Sequence, residues 1–458
     1  MFENNFRNLV FHRFKKIKRG SIVVRDKHGV QTFGDVNSDL NVVLNVHNMR
    51  FYRMLVLRGD IGVAQSLGDN DWECSDLTQL VRLFVRNLDS RDIVNGPLAA
   101  IQQGLARIGH FLKRNTLNNA KQNILEHYDL SNDFFRLFLD ETMTYSSGIF
   151  EGPTTSLRDA SVAKIDRACR LLDLKPTDHL VEIGTGWGGL AIHAAQHFGC
   201  KVTTTTISDQ QYEYAKARIM KSGLDSQIQL VRQDYRQLEG KFDKLVSIEM
   251  IEAVGHHYFD TFFAKCAELL KPEGDMLIQA ITIVDHRFDH HRRSVDFIKQ
   301  FIFPGACLPS TTALMNSMAQ TTQMRLVRMD DFASHYATTL RCWRERFFLE
   351  LDAVKNLGFD DRFIRLWEYY LAYCEAAFLE RQVNVAQMLF ANRDSRNETN
   401  EHLFSNPGLT AANTAQQVDK YRSTELASGR RQSEYTGVGE RAKSLSEAIV
   451  CRLNSRGI

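Results

Sequence analysis

No run in this 458-residue chain approaches the roughly 18 uninterrupted apolar residues of a membrane-crossing helix. The first residues lack the uniform apolar core and small-residue cleavage site of an export signal, so a cytoplasmic protein is expected. The eight cysteines are scattered, with no CxxC pair and no metal-ligand spacing, which fits reduced thiols and no metal centre. A formal net charge of +2 sets aside bulk nucleic-acid binding. No internal repeat is present. The length suits two or three domains, and the apolar content is ordinary for a globular core.

What is present is unevenly spread. Arg7, Arg13, Lys15, Lys16, Lys18, Arg19, Arg25 and Lys27 stand against a single acid, Asp26, with Phe6, Leu9, Val10, Phe11, Phe14 and Ile17 between them. That mixture suits either an anionic lipid surface, reached from the cytoplasmic side, or a helix packed on its own domain. Short β-like runs at 21–24 and 40–46, then helical periodicity through 77–87, predict a small α+β domain over residues 1–110, of a lipid-binding or dimerisation type. A polar, basic connector follows at 111–125. Strands and helices alternate over 126–392, and residues 393–458 are polar, poor in aromatics and expected to be disordered.

The strand His179-Leu180-Val181-Glu182-Ile183 runs into Gly184-Thr185-Gly186-Trp187-Gly188-Gly189, and a helical pattern follows over 190–197. Strand, glycine turn and helix let backbone approach a nucleotide closely. Alone, the motif also fits NAD or a bare tight turn. A dinucleotide site wants an acid about 20 residues on, at the end of the next strand. Here that strand, 201–208, ends in hydroxyls, and Asp209 lies past it. Later strands lead to Asp234-Tyr235 and to Glu249-Met250-Ile251-Glu252. With Glu182 just before the glycines, this layout favours S-adenosylmethionine (SAM) over NAD.

Further motifs follow in order. They are Glu126-His127-Tyr128-Asp129-Leu130-Ser131-Asn132-Asp133-Phe134-Phe135, Met143-Thr144-Tyr145-Ser146-Ser147-Gly148, Glu252-Ala253-Val254-Gly255, Phe303-Pro304-Gly305-Ala306-Cys307, and Tyr370-Leu371-Ala372-Tyr373-Cys374-Glu375. Together with the glycine turn they resemble the cyclopropane-fatty-acyl-phospholipid synthases, over roughly residues 50–392. The resemblance implies an α/β class I SAM-methyltransferase fold. That is a Rossmann-like, seven-stranded, mostly parallel sheet with a small N-terminal α+β domain and an acyl tunnel under inserted helices. It implies attack of a lipid alkene on the SAM methyl, then removal of a proton by bound bicarbonate and closure of a cyclopropane. Carried over by position, bicarbonate would be held by Ser147, Glu252, Gln279 and Tyr336, with Cys374 in support. SAM would be held by Tyr145, Ser146, Glu182, Gly184, Gly186, Gly188, Thr206, Gln211, Asp234 and Tyr235. The expected partners are a phospholipid bilayer with unsaturated acyl chains and a second copy of the chain, with no nucleic acid.

Two of these positions depart from the family's pattern, Ser147 for Cys and Gln279 for a His after the fifth strand. Ser is mild if that position acts through its backbone. Gln donates a hydrogen bond but carries no charge and shuttles no proton. The same site therefore also admits a methylene- or methyl-branched product, or a SAM-binding, membrane-associated protein without catalysis. Plainer readings stand beside the rest: Glu252 as a helix cap, Tyr336 and Cys374 as packing, and Asp285-His286-Arg287-Phe288-Asp289-His290-His291 as a charged loop in preference to a metal site.

Overall fold

The structure, a computed structural model, describes residues 2–87 and 130–396. The expected connector at 111–125, the start of the first motif at 126–129 and the expected tail beyond 396 lie outside those residues. Near the N-terminus, β1 (Ser21–Asp26), β2 (Gly29–Gly34), β3 (Asn41–Val46) and β4 (Trp72–Cys74) form one sheet in the order β2-β1-β3-β4. β1 and β3 follow the apolar runs read from sequence. β2 is an edge strand buried only at Phe33, so it carries no alternating signal.

The helix Phe2–Phe14 turns Val10, Phe11 and Phe14 into a core shared with later helices, and Ile17 follows them in. Phe11 meets the edges of Phe33 and Tyr52, at centroid distances of 4.9 and 5.8 Å. Arg7 pairs with Asp26 at 2.6 Å, and the Tyr52 hydroxyl donates to the same carboxylate. The aromatics of the basic segment are thus packed inward, and Lys15, Lys16, Lys18 and Arg19 face outward.

The larger sheet contains β5 (His179–Ile183), β6 (Lys201–Thr206), β7 (Ile228–Arg232), β8 (Phe242–Ile248), β9 (Leu270–Ile283), β10 (Arg325–Asp331) and β11 (Val383–Ala391). Their order is β10-β11-β9-β8-β5-β6-β7, and β11 is antiparallel to both its neighbours. This is the expected seven-stranded, mostly parallel sheet. Chain order reverses between β5 and β8, which opens a crevice past their carboxyl ends. Residues of the helices Ala333–Leu349 and Asp361–Leu379 line it, and Asp361–Leu379 meets the N-terminal helices as well. Thr78 donates to Glu375 at 3.0 Å, and Arg82 and Arg86 clamp Glu380 at 2.7 and 2.9 Å. No helix among the described residues is long and apolar enough to cross a membrane.

Candidate active site

A cavity of about 450 Å³ occupies the crevice. Its floor is the glycine turn after β5. Gly186 has φ +52°, a region that suits glycine, and the space where its Cβ would project is open. Gly188, expected beside the cofactor, instead lets a helix in: a Cβ there would lie 3.3 Å from Ala215, and the residue does not line the cavity. Trp187 packs the turn, donating from its indole to Asn132 at 2.7 Å.

Thr206, Gln211, Asp234 and Tyr235 line one wall, and Tyr145, Ser146 and Glu182 another. The Thr206 hydroxyl donates to the Gln211 amide at 2.9 Å. Asp234 is held by Arg236 at 2.7–2.8 Å, and the Tyr235 hydroxyl is buried without a hydrogen-bond partner. A bare turn, hydroxyls and an aromatic face fit SAM. Glu182, next to the last residue of β5, accepts from Thr204 at 2.6 Å, and burial pushes its pKa up to about 8.

Deeper in the crevice three expected residues meet, around a residue that was not expected. The Ser147 N–H donates to Glu249 Oε1 at 3.0 Å, the Gln279 amide donates to the same oxygen at 2.7 Å, and the Tyr336 hydroxyl donates to Glu249 Oε2 at 2.6 Å. The Ser147 hydroxyl turns away to the Gly148 carbonyl, so this residue meets Glu249 through its backbone alone. Gln279 sits within β9 and not after it. Its amide is oriented by Gln387, which donates to its carbonyl at 3.0 Å and itself accepts from Arg167. Asp330 holds Arg167 at 2.8 Å.

The same cavity has apolar and aromatic walls, among them Ile281, Phe303, Leu340, Tyr370 and Phe378, and is also lined by Arg287, His291, Asp296 and Lys299. A family model described as "Mycolic acid cyclopropane synthetase" matches residues 115–388. The chain belongs to that family. It is 38% identical over 342 residues to the tuberculostearic acid methyltransferase UfaA1 of Mycobacterium tuberculosis, spanning 73% of this chain and 79% of that one. It is 33% identical over 362 residues to the cyclopropane-fatty-acyl-phospholipid synthase of Escherichia coli, spanning 78% and 89%. The crystal structure of mycolic acid cyclopropane synthase CmaA1 complexed with SAH and CTAB superposes with a TM-score of 0.56 at 30% identity, over 59% of this chain and 98% of that one. This family member is accordingly a SAM-dependent methyltransferase.

Glu252, the carboxylate expected in the anion site, takes a different position. Its Oε1 accepts from the Ile281 N–H at 2.5 Å, while Oε2 is buried with no hydrogen-bond partner. Burial, with the nearby charge of Glu249, pushes its pKa up to about 8, so it is protonated at neutral pH. Burial raises Glu249 as well, but Tyr336, Lys164, Ser147 and Gln279 oppose the rise. Two neighbouring carboxyls thus have different partners: three donors meet Glu249 and one meets Glu252.

Lys164 was also missed. It projects inward from the helix Leu157–Leu171, is 2% exposed, and donates to the Ser146 hydroxyl at 2.7 Å. Burial lowers its pKa to about 8, against the pull of Glu249, Asp140 and Glu182. Cys374 lines the cavity, and burial holds its thiol near 12, so it is neutral there. The 285–291 segment forms the helix Asp285–Arg293, in which the His291 ring accepts from the Leu308 N–H at 3.2 Å.

Proposed function

We propose that this methyltransferase adds one carbon from SAM to the double bond of an unsaturated acyl chain in a membrane lipid. One observation carries the reading: a single cavity holds the glycine turn, a buried carboxylate centre and walls that are mostly apolar and aromatic. Most of the surface lining that cavity is apolar, although Arg287, His291, Asp296 and Lys299 line it too. An acyl chain needs only apolar walls.

Bound at the turn, SAM supplies an electrophilic sulfonium methyl. The π pair of the alkene forms the new C–C bond as the methyl–sulfur bond breaks, and the positive charge is left on the other alkene carbon. The alkene is a weak nucleophile, so the cavity's work is to hold it in line and keep water out. Aromatic faces at Tyr370 and Phe378 suit a developing cation. A proton then leaves the newly added methyl and its electron pair closes the ring. The bicarbonate expected from the resemblance does not fit: its three donors already serve Glu249, and no step here runs through it.

A second reading keeps the site and changes the product to a methylene or methyl branch. The relative named a methyltransferase is more similar than the one named a synthase, and that favours weighing it. The protein would work at the cytoplasmic membrane face, with its outward lysines toward anionic lipid. Incubation with labelled SAM and vesicles of saturated or unsaturated phospholipid tests the reading. Label entering only unsaturated chains, with a gain of one CH2, supports it. Label in saturated lipid or in headgroups overturns it, and fragmentation of the acyl product separates ring from branch.

A further inference from the structure

Glu249 is held in a way that a structural carboxylate has no need of. Three donors from three different elements converge on it: a backbone N–H before the helix Leu157–Leu171, a side chain of β9 and a side chain of the helix Ala333–Leu349. Two N–H groups and a hydroxyl can all donate to it, a set that suits an acceptor-only, ionised carboxylate. Its backbone has φ +49°, a conformation that costs an ordinary residue about 1 kcal/mol or more and a glycine nothing. A glutamate stands where glycine would be easier, and its carboxylate faces the cavity that holds the glycine turn.

Resting on the alkene-methylation reading, we propose that Glu249 is the protein's built-in base, occupying the place of a bound bicarbonate. After the methyl has been transferred, a C–H bond of the new methyl breaks. Its electron pair forms the closing carbon–carbon bond, and its proton passes to the Glu249 carboxylate. Release of that proton to water after product departure resets the site. The charged and titratable groups facing Glu249 are Lys164, Tyr336 and Glu252. Lys164 offsets its charge, Tyr336 donates to it, and Glu252 stays neutral beside it. The carboxylate is a weak nucleophile when so held, which protects it from alkylation by SAM.

Glu249→Gly tests this directly, because it relieves the backbone and frees the three donors for a small anion. Turnover on unsaturated phospholipid is measured in carbonate-depleted buffer and after adding millimolar bicarbonate. Binding of 13C-bicarbonate is followed separately by NMR, with no lipid present. The wild type should keep full turnover without bicarbonate and leave the 13C signal unperturbed. Glu249→Gly should lose about a hundredfold or more, regain at least part with bicarbonate, and bind the 13C anion. Glu249→Gln, which still fills the space, should lose as much and not be rescued. Bicarbonate-dependent turnover in the wild type, 13C-bicarbonate binding by the wild type, or undiminished turnover of Glu249→Gly without the anion would overturn the inference. If no lipid product forms under any condition, the alkene reading falls, and the NMR comparison still decides whether Glu249 fills the anion's place.

Discussion

Glu252→Gln replaces a neutral buried acid with a neutral amide of the same shape, so its effect should depend on pH. Glu252 is 8% exposed, its Oε1 holds the Ile281 N–H, and its Oε2 has no hydrogen-bond partner. Its pKa rises from 4.5 to about 8 on folding, through burial and the charge of Glu249. Between those values the folded chain keeps a proton that the unfolded chain has released. Its contribution to stability is therefore fully present below pH 4.5 and is lost as pH rises toward 8. The slope is about 1.4 kcal/mol per pH unit, which makes on the order of 3 kcal/mol between pH 5 and pH 7. Glu182 and Glu249 are raised too, so wild type alone cannot isolate one group. The difference between wild type and Glu252→Gln can. Denaturant unfolding of both at pH 5 and pH 7 should show the variant gaining on wild type by on the order of 3 kcal/mol over that interval. Its SAM affinity should be unchanged and its turnover should stay within about tenfold of wild type, since charge and shape at neutral pH are kept. A stability gap that does not move with pH would refute the reasoning, because it would mean that Glu252 is ionised in the folded protein.

Three further outcomes follow from the geometry. Gly186→Val should weaken SAM binding by about tenfold or more in calorimetry, because its side chain would enter open cavity space at a left-handed φ; unchanged affinity would remove SAM from the turn. Tyr336→Phe should leave SAM affinity intact and cut turnover by roughly tenfold to a hundredfold, from the loss of one hydrogen bond to a charged group of about 1.5–3 kcal/mol; equal turnover would reduce Tyr336 to packing. Reversing the charge at Lys15, Lys16 and Lys18 should weaken binding to anionic vesicles and flatten its salt dependence without shifting the melting temperature, since all three face outward; unaltered vesicle binding would assign membrane contact elsewhere.

The sheet was legible because its strands are continuous apolar runs and its turn is spelled by glycines. Edge strand β2 was not, since only Phe33 is buried. Ser147, Gln279 and Tyr336 were found by position and do converge. What the sequence left open was the division of roles between two carboxylates three residues apart. Sequence spacing puts both Glu249 and Glu252 at the end of β8, and only the left-handed turn at Glu249 decides which one faces the donors. A second acid at a sheet's carboxyl edge was the available signal. Lys164 gave none: a lysine among the charges of a helix reads as solvated until its neighbours in space are known. The basic N-terminal segment reads equally well as a lipid anchor or a packed helix, and burial of Val10, Phe11 and Phe14 gives its apolar face to the core.

The most direct measurement of the central claim uses SAM carrying a trideuterated methyl, with unsaturated phospholipid vesicles and mass spectrometry of the released fatty acids. Methyl transfer to an alkene followed by proton loss from that methyl predicts two deuteriums in the acyl product, at the former double bond, and none in the headgroup. Three retained deuteriums, or label on a headgroup heteroatom, would contradict the account.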